Sequence, residues 1–72
     1  MRLRDLREDL DMTQHALADH LHIRQSTLSQ YENGQRQIPL NLLMELALFF
    51  DTSTDYLLGL TNERKPYPRI SK

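Results

Sequence analysis

More of the architecture follows from residues Gln14 to Tyr31 than from any other segment: they read Gln-His-Ala-Leu-Ala-Asp-His-Leu-His-Ile-Arg-Gln-Ser-Thr-Leu-Ser-Gln-Tyr. Two short helical patterns lie almost back to back. Leu17, Ala18 and Leu21 make one apolar face at helical spacing, and Leu28 and Tyr31 make the next. Only a tight turn fits between them, with Ile23 placed to plug the angle. Thr13 stands where the first of the two helices needs an N-cap, its hydroxyl able to accept from the amides of the following turn. His22 falls where the chain must turn. A left-handed backbone is expected there, which His tolerates better than β-branched residues do.

The second of these helices, from about Gln25 to Glu32, carries Gln25, Ser26, Ser29 and Gln30 on one side, opposite Leu28 and Tyr31. An ordinary solvated helix face usually carries Lys and Glu; this one has neither before Glu32. Two helices joined this tightly, the second with a small and polar outer face, make the pattern of a helix-turn-helix that reads the DNA major groove. Glutamine can make paired hydrogen bonds to adenine N6 and N7, and Ser and Thr can serve base edges or phosphates.

Working outward, Leu3, Leu6 and Leu10 recur at helical spacing, so residues 2–10 read as a first helix. The Asn33-Gly34 pair ends the third helix, since both residues accept positive φ. Gln35 to Ile38 reads as a polar loop. Pro39 suits the first position of a fourth helix, where a missing amide hydrogen costs nothing. That helix runs to about Phe50 with Leu40, Leu43, Leu46, Ala47 and Phe50 on one face. Leu42, Leu48 and Phe49 extend its apolar surface, as expected of a central helix or a dimer contact. Ser53 caps a short fifth helix over 54–58, and Gly59 closes it. No strand-like alternation occurs, so the class is all-α. From Thr61 on, two prolines and few apolar residues predict an extended tail. In it Arg64, Lys65, Arg69 and Lys72 face only Glu63, a balance of +3.

Seventy-two residues make one domain with a small core. There is no cysteine, which excludes disulfides and a Cys-based zinc site. No apolar run approaches the ~20 residues of a membrane span, and the polar start does not read as a signal peptide, so the expected location is cytoplasmic. Net charge is −1, unusual for a nucleic-acid binder, but its distribution matters more. Acids gather at Asp5, Glu8, Asp9 and Asp11 and again at Glu45, Asp51 and Asp55. Between Ile23 and Leu43 the only acid is Glu32, beside Arg24 and Arg36. Overall charge predicts weak non-specific binding.

Chemistry other than binding finds little support. His20 and His22 are two apart, which does not place them on one helix face, and His15 brings no further ligand, so no metal and no cofactor are expected. The carboxylates at Asp5, Glu8, Asp9 and Asp11 read as a solvated helix face. There is no nucleophile–base spacing and no phosphate-cradling glycine loop, and the chain is not expected to be an enzyme.

With five helices placed, the chain resembles the Cro/C1-type (XRE) helix-turn-helix regulators of bacteria and phage over roughly residues 2–60. The motifs are Leu6-Arg7, Thr13-Gln14, Leu17-Ala18, Tyr31-Glu32-Asn33-Gly34, Ile38-Pro39 and Asp55-Tyr56-Leu57-Leu58-Gly59. Each is weak alone; in order and at this spacing they are specific. Two positions depart from the family: His22, where it usually has Gly, and Arg24, where it often has a Ser or Thr cap. The resemblance implies a five-helix, lambda-repressor-like DNA-binding domain over residues 1–60, followed by an extended basic tail over 61–72. It also implies that Gln14 contacts phosphate and braces Gln25, and that Arg7 and Glu32 form a structural ion pair.

The expected function is therefore sequence-specific transcriptional regulation, most simply repression by occluding a promoter. The expected DNA contacts are Gln14, Arg24, Gln25, Ser26, Thr27, Ser29, Gln30, Asn33, Gln35 and Arg36. One recognition helix reads few base pairs, so a homodimer on a pseudo-palindromic operator of double-stranded DNA is expected, with Phe49, Tyr56 and Leu60 as contact candidates. The chain has no room for a sensor domain, so an antagonist protein, concentration or proteolysis would control it. Two alternatives are the antitoxin of a toxin–antitoxin pair, with the tail wrapping the toxin, and a protein-interaction module on the same fold.

Overall fold

The computed structural model describes residues 1–68. Every regular element among the described residues is a helix: α1 (Leu3–Asp9), α2 (Gln14–His20), α3 (Gln25–Glu32), α4 (Leu40–Phe49) and α5 (Thr54–Leu58). Two start at side-chain caps. The Ala16 amide donates to Thr13 Oγ1 and the Tyr56 amide to Ser53 Oγ, each at 3.0 Å. Pro39 sits one place earlier than the sequence suggests, as the N-cap of α4 with extended backbone.

The five helices end alike. After α1 to α4 a left-handed residue follows the C-cap: Asp11 (φ 55°), His22 (φ 58°), Gly34 (φ 73°) and Asp51 (φ 52°); in α5 the left-handed residue is the C-cap itself, Gly59 (φ 82°). Each end is closed by two amides turning back on the last helical carbonyls. At α2 they are His22 N to Asp19 O (3.2 Å) and Ile23 N to Ala18 O (3.0 Å). This Schellman closure satisfies carbonyls that would otherwise be orphaned. It also explains two departures from the sequence reading. Asn33 stays right-handed at φ −89°, because Gly34 alone supplies the positive φ. Leu10 lies past the end of α1 and is exposed. There the Asp11 and Met12 amides close the helix on Glu8 and Arg7, and Met12 packs against the core in place of Leu10.

Every helix sends at least one leucine fully out of water: Leu3 and Leu6 from α1, Leu17 from α2, Leu28 from α3, Leu46 from α4 and Leu57 from α5. At roughly 1.5–3 kcal/mol for each fully buried leucine, these residues hold the domain together. On α4 the buried face is Leu42, Leu43, Leu46 and Ala47, with Phe50 just beyond the helix. Leu40, expected inside, is 69% exposed. It lies in line with Met44 and Leu48 on the outer side, whereas Leu42 turns inward. Periodicity could not choose between these faces because α4 is apolar nearly all round.

The termini meet. The Arg2 amide donates to Leu57 O at 2.8 Å, and its guanidinium reaches Thr61 O (2.9 Å) and Asn62 Oδ1 (2.8 Å) while lying 4.1 Å over the Tyr56 ring. Further along, Thr52 Oγ1 donates to Arg64 O at 2.6 Å and Tyr67 Oη to Asp55 Oδ2 at 2.9 Å. The Asp55 carboxylate raises the Tyr67 pKa, chiefly by accepting its proton in that bond. Residues 61–67 thus form a strap along α5 and the end of α4. Arg69 and Lys72, two of the four cations of the expected basic tail, lie outside the described residues.

Candidate nucleic-acid interface

Leu28 and Tyr31 anchor α3 against the core, which fixes what its other side presents. Gln25, Ser26 and Gln30 are exposed, and Thr27 and Ser29 are half-buried at the edges of that face. Arg24 is the N-cap, with extended backbone and no side-chain cap bond, so its exposed guanidinium stands beside the start of α3. Gln35 and Arg36 follow α3 in the loop and are exposed. The outer side of α3 therefore carries amide and hydroxyl groups, flanked by cations at both ends.

Glu32, the one acid of this region, is withdrawn from it. Its side chain is fully buried. Arg7 Nε donates to Oε2 at 2.7 Å and Arg7 Nη2 to Oε1 at 3.1 Å; Gln14 Nε2 donates to Oε1 at 3.0 Å, and Arg4 Nε stands 3.5 Å from the same oxygen. Arg7 also donates to Met12 O at 2.7 Å. Burial pushes the Glu32 pKa up, but the hydrogen bonds and charge of Arg7, with help from Gln14 and Arg4, outweigh it. The carboxyl is held below its usual range. α1, α2 and the end of α3 are thereby tied at one carboxylate.

Gln14 thus differs from what the resemblance implies. Its amide nitrogen donates to Glu32 rather than bracing Gln25, because a fully ionised carboxylate can only accept and lies within reach. A residue the sequence reading passed over enters instead. Arg4, half exposed on α1, donates from Nη2 to Asn33 Oδ1 at 2.8 Å. Asn33 Nδ2 in turn points at Ser29 Oγ, 3.4 Å away. The available signal was spacing: Arg4 and Arg7 are three apart, on one face of α1, and Arg7 was already expected at Glu32.

The three residues expected at a dimer contact are not equally available. Phe49 packs its ring against His20 (4.4 Å between centroids) and Phe50 (5.0 Å), and Tyr56 lies under Arg2. Leu60 is 73% exposed. The larger exposed apolar surface is the Leu40, Met44 and Leu48 row of α4; the sequence pattern puts Leu40 on the core face and Leu48 beyond it, and does not single out Met44. Among the described residues no group of three His or acidic side chains is arranged to hold a metal, and no helix is long and apolar enough to cross a membrane.

Comparison with known proteins agrees with this geometry. A helix-turn-helix family model matches residues 3–57. The chain is 38% identical over 71 residues to the uncharacterized HTH-type transcriptional regulator YobD of Bacillus subtilis, covering 99% of this chain and 62% of that protein. It is 38% identical over 68 residues to the HTH-type transcriptional regulator AnsR of the same organism, covering 94% and 59%. With the HTH-type transcriptional regulator PrpR of Mycobacterium tuberculosis it shares 44% over 63 residues, 88% of this chain and 13% of that one. The chain spans about three fifths of the length of YobD and AnsR. No solved structure gives a significant match. The buried clamp, the tight α2–α3 turn and these relatives lead to one conclusion: the chain belongs to the Cro/C1-type (XRE) helix-turn-helix family of DNA-binding transcriptional regulators.

Proposed function

We propose that this protein is a sequence-specific transcriptional repressor that lays α3 in the major groove and occludes a promoter. The observation carrying this reading is the outer side of α3, where Gln25, Ser26 and Gln30 stand exposed with no ionised acid on that face. Gln25 and Gln30 are the base readers. Ser26, Thr27 and Ser29 supplement them, and Arg24, Asn33, Gln35 and Arg36 hold phosphates. Gln14 contributes by fixing Glu32 and presenting the start of α2 to the backbone. No catalytic step belongs to this reading, and the site of action is the cytoplasm. Residues 1–60 act as the DNA-binding domain, with 61–72 as an appended tail.

A homodimer on a pseudo-palindrome fits the short reach of one α3, with half-sites about one helical turn, ~34 Å, apart. Leu60 and the Leu40, Met44 and Leu48 row are the available apolar surface. That row also supports a second reading, in which a toxin or antagonist protein is the occupant and the chain is an antitoxin controlling its own operon.

Selection from a random duplex library, followed by titration of Gln25→Ala, Gln30→Ala and Arg36→Ala, tests the reading. Each Gln variant is expected to lose ~1–3 kcal/mol on the selected site and to relax one base pair. Arg36→Ala is expected to weaken all sequences alike. Gln variants that bind selected and scrambled duplexes as the wild type does would show that α3 is not the reader. One protein per duplex at saturation would remove the dimer.

A further inference from the structure

Tyr31 carries a polar group that the domain does not satisfy. The residue anchors α3 in the core and is only 6% exposed, yet its hydroxyl has no hydrogen-bond partner among the described residues. Buried polar groups are almost always paired, and among the described residues no side-chain nitrogen or oxygen is both buried and unpaired. The Tyr31 hydroxyl is therefore open at its tip. It opens at a cavity of about 320 Å³ that Tyr31 lines together with Gly34, Arg36, Ile38, Leu58 and Met1. Local sequence makes this space. Gly34 takes the left-handed turn after α3, and a Cβ there would meet no atom within 4 Å. The loop then returns Ile38 to the edge of the core, half-buried. Leu58 of α5 and Met1 stay exposed beside it.

The walls are apolar, with a hydroxyl at the core side and a cation in the loop. Arg36 is exposed and has no ion-pair or hydrogen-bond partner among the described residues, and no acid lines the cavity. A guanidinium has donors only, and a phenolic hydroxyl can donate. Ligand pockets share this composition, mostly apolar with a few polar groups, and run upward from ~300 Å³. We propose that the cavity binds a small carboxylate with a short apolar body. The carboxylate accepts from the Tyr31 hydroxyl and from Arg36, whose fork of donors matches its two oxygens. The apolar body lies against Ile38, Leu58 and Met1. A cationic ligand would meet Arg36 as a like charge. Arg36 is also assigned above to a DNA phosphate, and one guanidinium cannot serve both anions. Ligand and DNA therefore compete for it, and each weakens the other's binding by the same factor. This competition rests on the proposed function; binding to the cavity does not.

Hexanoate is the probe. Acetate, which lacks the apolar body, and hexylammonium, which reverses the charge, are the controls. Titration of isotope-labelled protein followed by NMR is expected to move the amides of Gly34, Ile38 and Leu58 saturably with hexanoate. Either control is expected to bind roughly tenfold more weakly or worse. Tyr31→Phe keeps the ring in the core and removes only the unpaired oxygen; it is expected to weaken hexanoate by roughly 3- to 10-fold, the worth of one hydrogen bond. Arg36→Gln, in an exposed loop, is expected to weaken it by roughly 10- to 100-fold. Saturating hexanoate is expected to lower the affinity of the wild type for its selected duplex and to leave that of Arg36→Gln where it was. The site is overturned if those amides show no saturable shift, if acetate binds as tightly as hexanoate, or if both variants bind hexanoate as the wild type does. If Arg36→Gln weakens DNA binding and bound hexanoate does not, the carboxylate is not on Arg36 and the inference is overturned. If hexanoate fills the cavity as expected while neither it nor Arg36→Gln changes DNA affinity, the site stands and the phosphate contact of Arg36 in the proposed function fails instead.

Discussion

Arg7 grips Glu32 with two nitrogens, Nε at 2.7 Å and Nη2 at 3.1 Å, across the junction between α1 and the end of α3. The bidentate contact is only 11% exposed on the arginine side and fully buried on the glutamate side. Its consequence for function is indirect. It pairs and buries Glu32, the one acid in the sequence of α3, and ties the end of α3 to α1.

Breaking one side of the clamp leaves a buried charge. Truncation of one partner of such a pair typically costs ~3–5 kcal/mol. Gln14 and Arg4 stay beside Glu32, so Arg7→Met is expected at the low end, about 3 kcal/mol. Adding Glu32→Leu removes the orphaned carboxylate and is expected to recover part of that loss. Urea unfolding of the two single variants and the double variant measures the coupling, and strictly additive losses would refute it.

Acid should undo the clamp. The folded-state pKa of Glu32 is depressed, so its contribution is complete above the unfolded glutamate pKa and is lost as pH falls through the lower folded value. The unfolding midpoint is expected to hold near neutrality and to fall below the usual glutamate range. Glu32→Gln should show a shallower acid limb than the wild type; parallel limbs would show that another group sets the acid sensitivity.

The shared helix ending makes an opposed pair of predictions. A side chain in the left-handed region costs roughly 1–2 kcal/mol, against about 0.5–1 kcal/mol for the extra unfolded-state freedom of glycine. His22→Gly is therefore expected to stabilise the domain by about 0.5–1 kcal/mol. Gly34→Ala is expected to destabilise it by about 1 kcal/mol, although an added Cβ meets no atom within 4 Å. Thermal unfolding distinguishes this backbone effect from packing, which predicts no change at Gly34.

The strap should act on stability before it acts on DNA. Tyr67→Phe removes the exposed bond to Asp55 and is expected to lower the unfolding midpoint only slightly. Deleting residues 63–72 is expected to lower the unfolding midpoint further, since it also removes the Arg64 carbonyl that receives Thr52. In this picture the dependence of DNA affinity on salt is unchanged. A flatter salt dependence after truncation would assign the tail a phosphate contact instead, through counterion release.

What the sequence determined by itself is local. Thr13 and Ser53 as caps, the left-handed turn at His22, the stop at Gly34 and Gly59, and the inward Leu3, Leu6 and Leu17 of α1 and α2 are all set within one or two turns of chain. There, backbone sterics and helical periodicity leave few choices. The order of five helices and the polar outer side of α3 follow from those signals. Tertiary structure alone decided which groups meet across longer separations. Gln14 turns to Glu32 and not to Gln25 because the buried carboxylate is the stronger acceptor within reach. Arg4 joins Asn33 only because α1 packs beside the end of α3. The face that α4 buries was illegible because leucines surround it; packing into the core put Leu42 inside and left Leu40 in water. Tyr56, a plausible contact for a second copy on sequence grounds, is covered by Arg2 because folding brings the N-terminus onto α5. Periodicity measures position around one helix, and no local pattern carries the position of another.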